Sequence, residues 1–271
     1  MASPHVSDTD RARTLPAHRR GSVAEFVAQR GQVTVGELAS DYGVSIDTIR
    51  RDLDQLDQDG LLIRTHGGAV SKSSTPVGDR KLDLRMQLHT AEKERIARMA
   101  AKLIQDDSVA MLNGGTTTLA VVHQLRDRQG LTIATNNLRI PAELPPSLEC
   151  ELYIFGGHVR TVAQTTTGAI SFAVAQLDEE IDVRADIAVI GVGGVNADGF
   201  STSNVGDAAM MAEMMDRAER VAVVADSSKY GSTLFAQVAP LTKATYFVSD
   251  APPPPPIAAA MKKAGVSIIT P

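Results

Sequence analysis

From residue 108 to residue 269 short apolar runs alternate with helix-length segments, and that alternation leaves few folds open. The runs are Ser108–Leu112, Leu131–Ala134, Leu152–Phe155, Ile187–Ile190, Val221–Ala225, Thr245–Val248 and Val266–Ile269. Each has the length of a strand. Between them lie Thr118–Leu125, Gly168–Leu177, Val205–Ala218 and Ile257–Ala264, which read as helices. Strand and helix in alternation predict an α/β fold, a mostly parallel sheet covered on both faces. Such a sheet binds ligands in the loops at the carboxyl ends of its strands.

Those loops are unusual here. The first run leads into Asn113-Gly114-Gly115-Thr116-Thr117-Thr118 and then a helix. Glycines let the backbone approach a ligand, hydroxyls donate hydrogen bonds, and a helix N-terminus favours an anion. The loop lacks the Gly-Lys-Ser/Thr spacing of a Walker sequence. Thr135-Asn136-Asn137 follows the second run, Gly156-Gly157 the third and Gly191-Val192-Gly193-Gly194 the fourth. After the fifth comes Asp226-Ser227-Ser228-Lys229, a carboxylate for sugar hydroxyls and an ammonium for phosphate. Any one of these is an ordinary strand–helix connection. Five at one sheet edge fit a phosphorylated polyol.

A different pattern precedes residue 70. In Val35–Tyr42, Val35, Leu38, Ala39 and Tyr42 recur at helical spacing, and Gly43 suits a sharp turn needing positive φ. Ser45 sits where an N-cap belongs, and Asp47 lies in the first turn of the next helix. Ile46, Ile49, Leu53 and Leu56 then share one face, with Asp47, Thr48, Arg51 and Gln55 opposite and Arg50 on the flank. Gly60, the strand-like Leu61–Arg64 and the turn pair Gly67-Gly68 place Arg64 and His66 near a wing. Taken alone, two helical arginines are a solvated face, Asp47 a helix-start charge and Ser45 a cap that can also hold a phosphate. Together these features form a winged helix-turn-helix, whose second helix presents arginine for guanine and glutamine for adenine in a major groove.

The run VS-x-x-TIRRDL with the later R-x-HGGA resembles the N-terminal domain of the DeoR family of bacterial sugar-metabolism regulators. The resemblance continues through KERIARMAAKLI, GGTTTLA, TNNL, GGHVR, GVGGV-x-x-x-G and ADSSKYG, in that order. It implies a recognition helix carrying Thr48, Arg50 and Arg51, and a sensor domain similar to the ribose-5-phosphate isomerase fold. It also implies a phosphorylated sugar or related effector on the Gly114–Thr117 loop, with Lys229 and neighbouring loops contributing. Two departures stand out. The family often carries Asp where this chain has Asn113, and a basic residue within the helix that here reads AAMMAEMM, Ala208–Met215. The methionines read as a flexible apolar face, in the core or between subunits.

At 271 residues the chain suits two domains. The expected organisation is a disordered tail over 1–15, a DNA-binding domain over 16–71 beginning with a helix at Ala17–Gln29, a linker over 72–89, and an effector and oligomerisation domain over 90–271. A helix is expected at Thr90–Ile104, and Pro252–Pro256 reads as a stiff connector. The formal charge of −5 argues against a protein that coats nucleic acid by bulk electrostatics. Within residues 1–75 basic side chains do not outnumber acidic ones. Binding to double-stranded operator DNA is therefore expected to need a local surface and two copies acting together. The single cysteine, Cys150, excludes an internal disulfide and reads as a buried inert thiol; no cofactor or metal is expected. The N-terminus lacks a signal-peptide core, and no run spans a bilayer, so a cytoplasmic protein is expected. An isomerase or kinase with a DNA-binding arm is the rival reading, with Asp226 as its only candidate base; a constitutive DNA-architecture protein is the third.

Overall fold

The structure, a computed structural model, describes residues 16–30, 32–65, 67–71, 82–174 and 179–271. His66, the 1–15 tail and most of the expected linker lie outside the described residues. The chain divides into two compact units, Met1–Pro76 and Val77–Pro271.

The first unit runs α1 (Pro16–Arg30), β1 (Gln32–Thr34), α2 (Val35–Tyr42), α3 (Ile46–Gln58), β2 (Leu62–Thr65) and β3 (Gly68–Ser71). Thr34 and Glu37 form a reciprocal capping box at the start of α2, satisfying two otherwise orphaned amides. Gly43 ends that helix in the left-handed region at φ 62°, as the turn requires. Ser45 then caps α3 by accepting from the Thr48 amide at 3.2 Å. Val23, Val27, Leu38, Ile49, Leu53, Leu56 and Leu62 close the core. Ile46 does not join them: it is 48% exposed, because it is the first residue of α3 and no turn packs behind it. The strands form one antiparallel sheet in the order β1-β3-β2. A Cβ on Gly68 would stand 2.0 Å from the Val33 carbonyl, so β1 can pair there only with glycine.

The second unit opens with α4 (Leu82–Gln87) and α5 (Thr90–Ala101). It continues through β4 (Val109–Leu112), α6 (Thr116–His123), β5 (Leu131–Thr135), α7 (Ile140–Glu143), β6 (Cys150–Ile154), β7 (His158–Arg160) and β8 (Thr165–Thr167). Then come β9 (Ser171–Val174), β10 (Glu179–Asp182), β11 (Ala185–Gly191), β12 (Gly194–Val195), β13 (Phe200–Thr202), α8 (Val205–Asp216) and β14 (Ala218–Val224). The chain closes with β15 (Ala236–Ala239), β16 (Tyr246–Val248), α9 (Pro255–Lys263) and β17 (Ser267–Ile269). Every one of the seven apolar runs supplies a strand to a single parallel sheet, ordered β17-β16-β14-β11-β4-β5-β6. Alternate residues feed the two faces: Met111, Ala188 and Ile190 face one core, Leu112, Ile187 and Val189 the other. Met210, Met211, Met214 and Met215 of α8 all lie in the first of these cores. Pro255 and Pro256 occupy the first turn of α9, where a missing amide hydrogen costs nothing.

Three expectations are corrected. Of the helix expected over Gly168–Leu177, the described residues 168–174 are not helical; Ser171–Val174 is strand β9, paired antiparallel with β10. Its β-branched and aromatic residues favour an extended chain once a partner strand is at hand. Leu82–Gln87, inside the stretch expected to be linker, is helix α4, and Leu82 is buried on the second unit. Cys150 is half-buried rather than buried, since β6 is an edge strand; burial and Glu151 push its thiol pKa up. Among the described residues no helix is long and apolar enough to cross a membrane.

Candidate functional site

The strand order reverses between β4 and β11. From β4 the chain steps outward to β5 and β6, then returns beside β4 and steps the other way. A crevice opens at the carboxyl ends of strands flanking such a reversal, because successive crossovers leave in opposite directions. Here the loops at that reversal are Asn113–Gly115, after β4, and Gly191–Gly194, at the end of β11.

Asn113 stitches these two loops together across 78 residues of sequence. Its amide nitrogen donates to the Gly191 carbonyl at 2.9 Å, and its oxygen accepts from the Gly191 amide at 2.8 Å. A carboxylate could make only the second bond and would face a carbonyl with the other oxygen. That accounts for Asn rather than Asp. Asn113→Asp is expected to lower stability by about 1–3 kcal/mol at neutral pH, the cost of burying an acceptor unpaired. Urea unfolding at pH 7 checks this, and unchanged stability would remove the stitch from the account.

The loop's other polar atoms are similarly committed. Gly114 donates its amide to Asn136 Oδ1 at 2.6 Å, and Asn136 Nδ2 donates to the Thr166 carbonyl at 2.7 Å. The Thr118 hydroxyl donates toward the Asn113 and Gly115 carbonyls, and Asn137 Nδ2 reaches the Gly115 carbonyl at 3.2 Å. The Asn113 and Gly115 carbonyls are thus occupied by groups of the protein itself. Gly115, the N-cap of α6, offers no side-chain bond to the amides behind it. Thr116 is buried and Thr117 half-buried at this end. The arrangement presents backbone amides and the positive end of a helix dipole, which suits an anion. The buried Thr165 hydroxyl, beside Gly114, has no hydrogen-bond partner among the described residues.

Asp226 and Lys229 stand at the end of β14. Asp226 is 2% exposed; it accepts from the Ser228 amide at 3.1 Å and lies 3.8 Å from Lys229 Nζ. Burial pushes its carboxyl pKa up, but Lys229, the Ser228 hydroxyl, His89 and Lys93 outweigh that and hold it below the usual value. The glycines have different work. A Cβ on Gly194 would stand 2.5 Å from the Ser232 carbonyl, and one on Gly157 2.3 Å from the Thr167 carbonyl. Both admit a close backbone approach, while Gly156 is exposed and Gly193 half-buried.

Several charged residues here were invisible to sequence reasoning. Arg160 of β7 pairs with Asp207 of α8, both largely buried. Arg85 of α4 lies in the field of Asp207, Arg160 and Asp226. Lys93 of α5 is 7% exposed, and burial pushes its pKa down to about 8 against the pull of Asp226. Lys93 opens the KERIARMAAKLI run and Arg160 ends GGHVR, but nothing in those runs says that they meet Arg85 and Asp207, since the four converge from four elements. Among the described residues no cluster of three His, Cys, Asp or Glu could hold a metal ion. An open basic cleft of about 500 Å³ lies elsewhere, beside the C-terminal ends of α5 and α6, lined by Arg98, Lys102 and Arg128. It is exposed and holds none of the loops described above.

In the first unit α3 turns its inner face to the core and its outer face to solvent. Arg50 is exposed and 3.5 Å from Asp47; Arg51 is exposed and makes no ion pair with a described residue. Thr48 shares a hydroxyl bond of 2.9 Å with Ser45, so both settle the helix start as well as facing outward. Gln55 donates to Asp59 at 2.9 Å, away from the N-terminal half of the helix. Arg64 of the wing pairs with Asp54, and its amide donates to Asp57 at 3.2 Å. These contacts strap the hairpin to α3. The sequence reading missed Asp52, which is 5% exposed and takes a two-pronged bond from Arg19 at 2.7 and 3.3 Å. Its position one residue before Leu53 on the buried face was the available signal.

Residues 19–75 match the family described as DeoR-like helix-turn-helix domain, and residues 88–251 that described as DeoR C terminal sensor domain. The chain is 33% identical over 238 residues to the glycerol-3-phosphate regulon repressor of Escherichia coli (strain K12), covering 86% of this chain and 90% of that one. It is 31% identical over 256 residues to the HTH-type transcriptional repressor CsqR of Escherichia coli (strain K12), covering 93% and 95%. Among solved structures, ribose 5-phosphate isomerase from Plasmodium falciparum aligns with a TM-score of 0.37 and 12% identity over 52% of each chain. That likeness is too distant to carry an argument about function.

Proposed function

This chain belongs to the DeoR family, and from that premise we propose that it is a transcriptional repressor of a carbohydrate-use operon, controlled by a phosphorylated sugar or related metabolite. One observation carries the reading. The anion-ready start of α6 sits at the topological switch point of the second unit, in a chain whose first unit exposes Arg50 and Arg51 on α3. The name of the E. coli relative, a glycerol-3-phosphate regulon repressor, supports an effector that is a small phosphorylated polyol. In this reading Ser45, Asp47, Thr48, Arg50, Arg51, Gln55, Arg64 and His66 face operator DNA. Gly114–Thr117 hold the phosphate with Lys229 contributing, Asp226 takes sugar hydroxyls, and Asn113, Asn136 and the glycine loops frame the ligand. Two copies act together, because a chain of net charge −5 gathers too little basic surface in one.

The enzyme reading finds less support. Deprotonating a carbon acid needs a base with a pKa near the working pH, and Asp226 is held low by its cationic neighbours. The protein is proposed not to be an enzyme.

The test uses the full chain, a duplex from the promoter of its own gene, and a panel of sugar phosphates. At least one member is expected to release the duplex and to raise Tm by mass action, with no chemical conversion seen by NMR over hours. Release by none, or conversion of any, would overturn the proposal.

A further inference from the structure

Two charged hollows of contrary sign meet where α5 and α6 end and the strands of the large sheet begin. The basic one is the cleft of about 500 Å³ lined by Arg95, Arg98, Lys102 and Arg128, with Met99 and Pro271 adding apolar surface. Arg95, Arg98 and Lys102 follow one another at helical spacing, so they form one row along α5 and its C-cap. The helix dipole favours a cation at this end, but like charges at that spacing repel. Arg95 has Glu92 at 3.4 Å, and Arg128 has Asp106 at 3.6 Å. The Arg98 and Lys102 side chains make no hydrogen bond or ion pair with a described residue.

The acidic hollow, of about 420 Å³, is lined by Asp106, Asp107, Asp186 and Glu219. Through its pair with Arg128, Asp106 belongs to the border of both. Asp186 accepts from the Val109 amide at 2.7 Å, which orients the carboxylate without cancelling its charge. The Asp107 and Glu219 carboxylates make no hydrogen bond or ion pair with a described residue. Arg220 also reaches this hollow, but its guanidinium turns to the Leu103 carbonyl at 3.4 Å. Farther along the same edge the charges cancel within the chain: Arg184 and Arg217 pair with Asp182, and Lys243 with Asp216.

Adjacent patches of opposite sign are self-complementary under a two-fold rotation. Turned about an axis between them, each basic hollow meets the acidic hollow of the other copy. A chain of net charge −5 repels its own copies unless the facing surfaces are matched in this way. A foreign acidic partner would fill the basic hollow and be repelled by Asp107, Asp186 and Glu219 beside it. We propose that two copies of the chain pair through this face, with Arg98 and Lys102 of each against Asp107 and Glu219 of the other. This rests on the reading that two copies act together, and it gives them a surface. Pairing where the strands begin leaves the loops at their carboxyl ends open to a ligand in both copies.

Sedimentation equilibrium of the full chain reads the pairing. Wild type is expected to pair at about 0.1 M salt and to dissociate toward about 1 M, as the screening length falls from about 10 Å to about 3 Å. Arg98→Glu with Lys102→Glu, and separately Asp107→Asn with Glu219→Lys, are each expected to weaken pairing by about tenfold or more. Mixed in equal amounts, the two variants are expected to pair with each other, because one contact then joins a native basic hollow to a native acidic one. That recovery also shows that both variants fold. Pairing that survives either set of substitutions, or a mixture no stronger than its components, would overturn this surface and leave the two-copy reading standing. So would unchanged pairing with weaker binding of the Arg98→Glu, Lys102→Glu variant to scrambled duplex, which would give the basic hollow to DNA. A wild type that stays single at low salt and binds its operator as one copy would instead sink the two-copy reading itself.

Discussion

Arg50→Ala with Arg51→Ala is expected to remove specific operator binding while leaving the fold intact. Both side chains lie on the exposed face of α3, and the core contacts of that helix come from Ile49, Leu53 and Leu56. Alanine is the better helix former, so α3 itself should persist. A two-pronged arginine–guanine contact is worth about 1–3 kcal/mol, and losing two brings specific affinity down by roughly 10²–10⁴. What remains is binding by phosphate contacts, common to every sequence. Fluorescence anisotropy with operator and scrambled duplexes at matched salt reads the difference. If the double variant still separates operator from scrambled DNA as wild type does, α3 is not the reading element.

Gly114→Val is expected to produce the opposite phenotype, a repressor that stays on its operator whatever the effector. A Cβ at Gly114 would stand 2.0 Å from Thr165 Cγ2 of β8, and the two further methyls of valine worsen the clash. The loop must then move off β8 or give up the bond from its amide to Asn136. Either shift displaces the start of α6 by a large fraction of an ångström or more, and anion binding by aligned amides does not survive that. Overpacking of this kind costs about 1–3 kcal/mol, which a sheet buried on both faces tolerates. Operator affinity without effector should match wild type, while the effector-induced release and the gain in Tm both vanish. Undiminished release would place the phosphate elsewhere.

How much of this was legible beforehand varied with the range of the interactions involved. Helix α2, the turn after it and the start of α3 depend on local contacts, so Val35, Leu38, Gly43 and Ser45 were readable from spacing alone. The seven strands of the parallel sheet were readable because burial on both faces demands unbroken apolar runs. Strand β9 was misread because five or six apolar residues fit a helix equally well until a partner strand pairs with them. The two-stranded ladder of β7 with β8 and the small sheet β12-β13-β15 were missed because strands of two to four residues, several of them polar, carry no apolar run to read. Ile46 kept the right helical phase and still turned out exposed, because phase says nothing about where the core stops.

Sequence alone therefore determined the two kinds of unit, the helix that carries Arg50 and Arg51 outward and the loops that follow the sheet strands. These follow from periodicity, capping and turn chemistry, all local. Only the tertiary structure decided which charges those loops share. Asn113 joins Gly191, Arg160 joins Asp207, and Arg85 and Lys93 arrive beside Asp226 from helices that read as linker and as a plain amphipathic segment. Such convergence is set by strand order and by how helices pack across it, and no spacing along the chain encodes it.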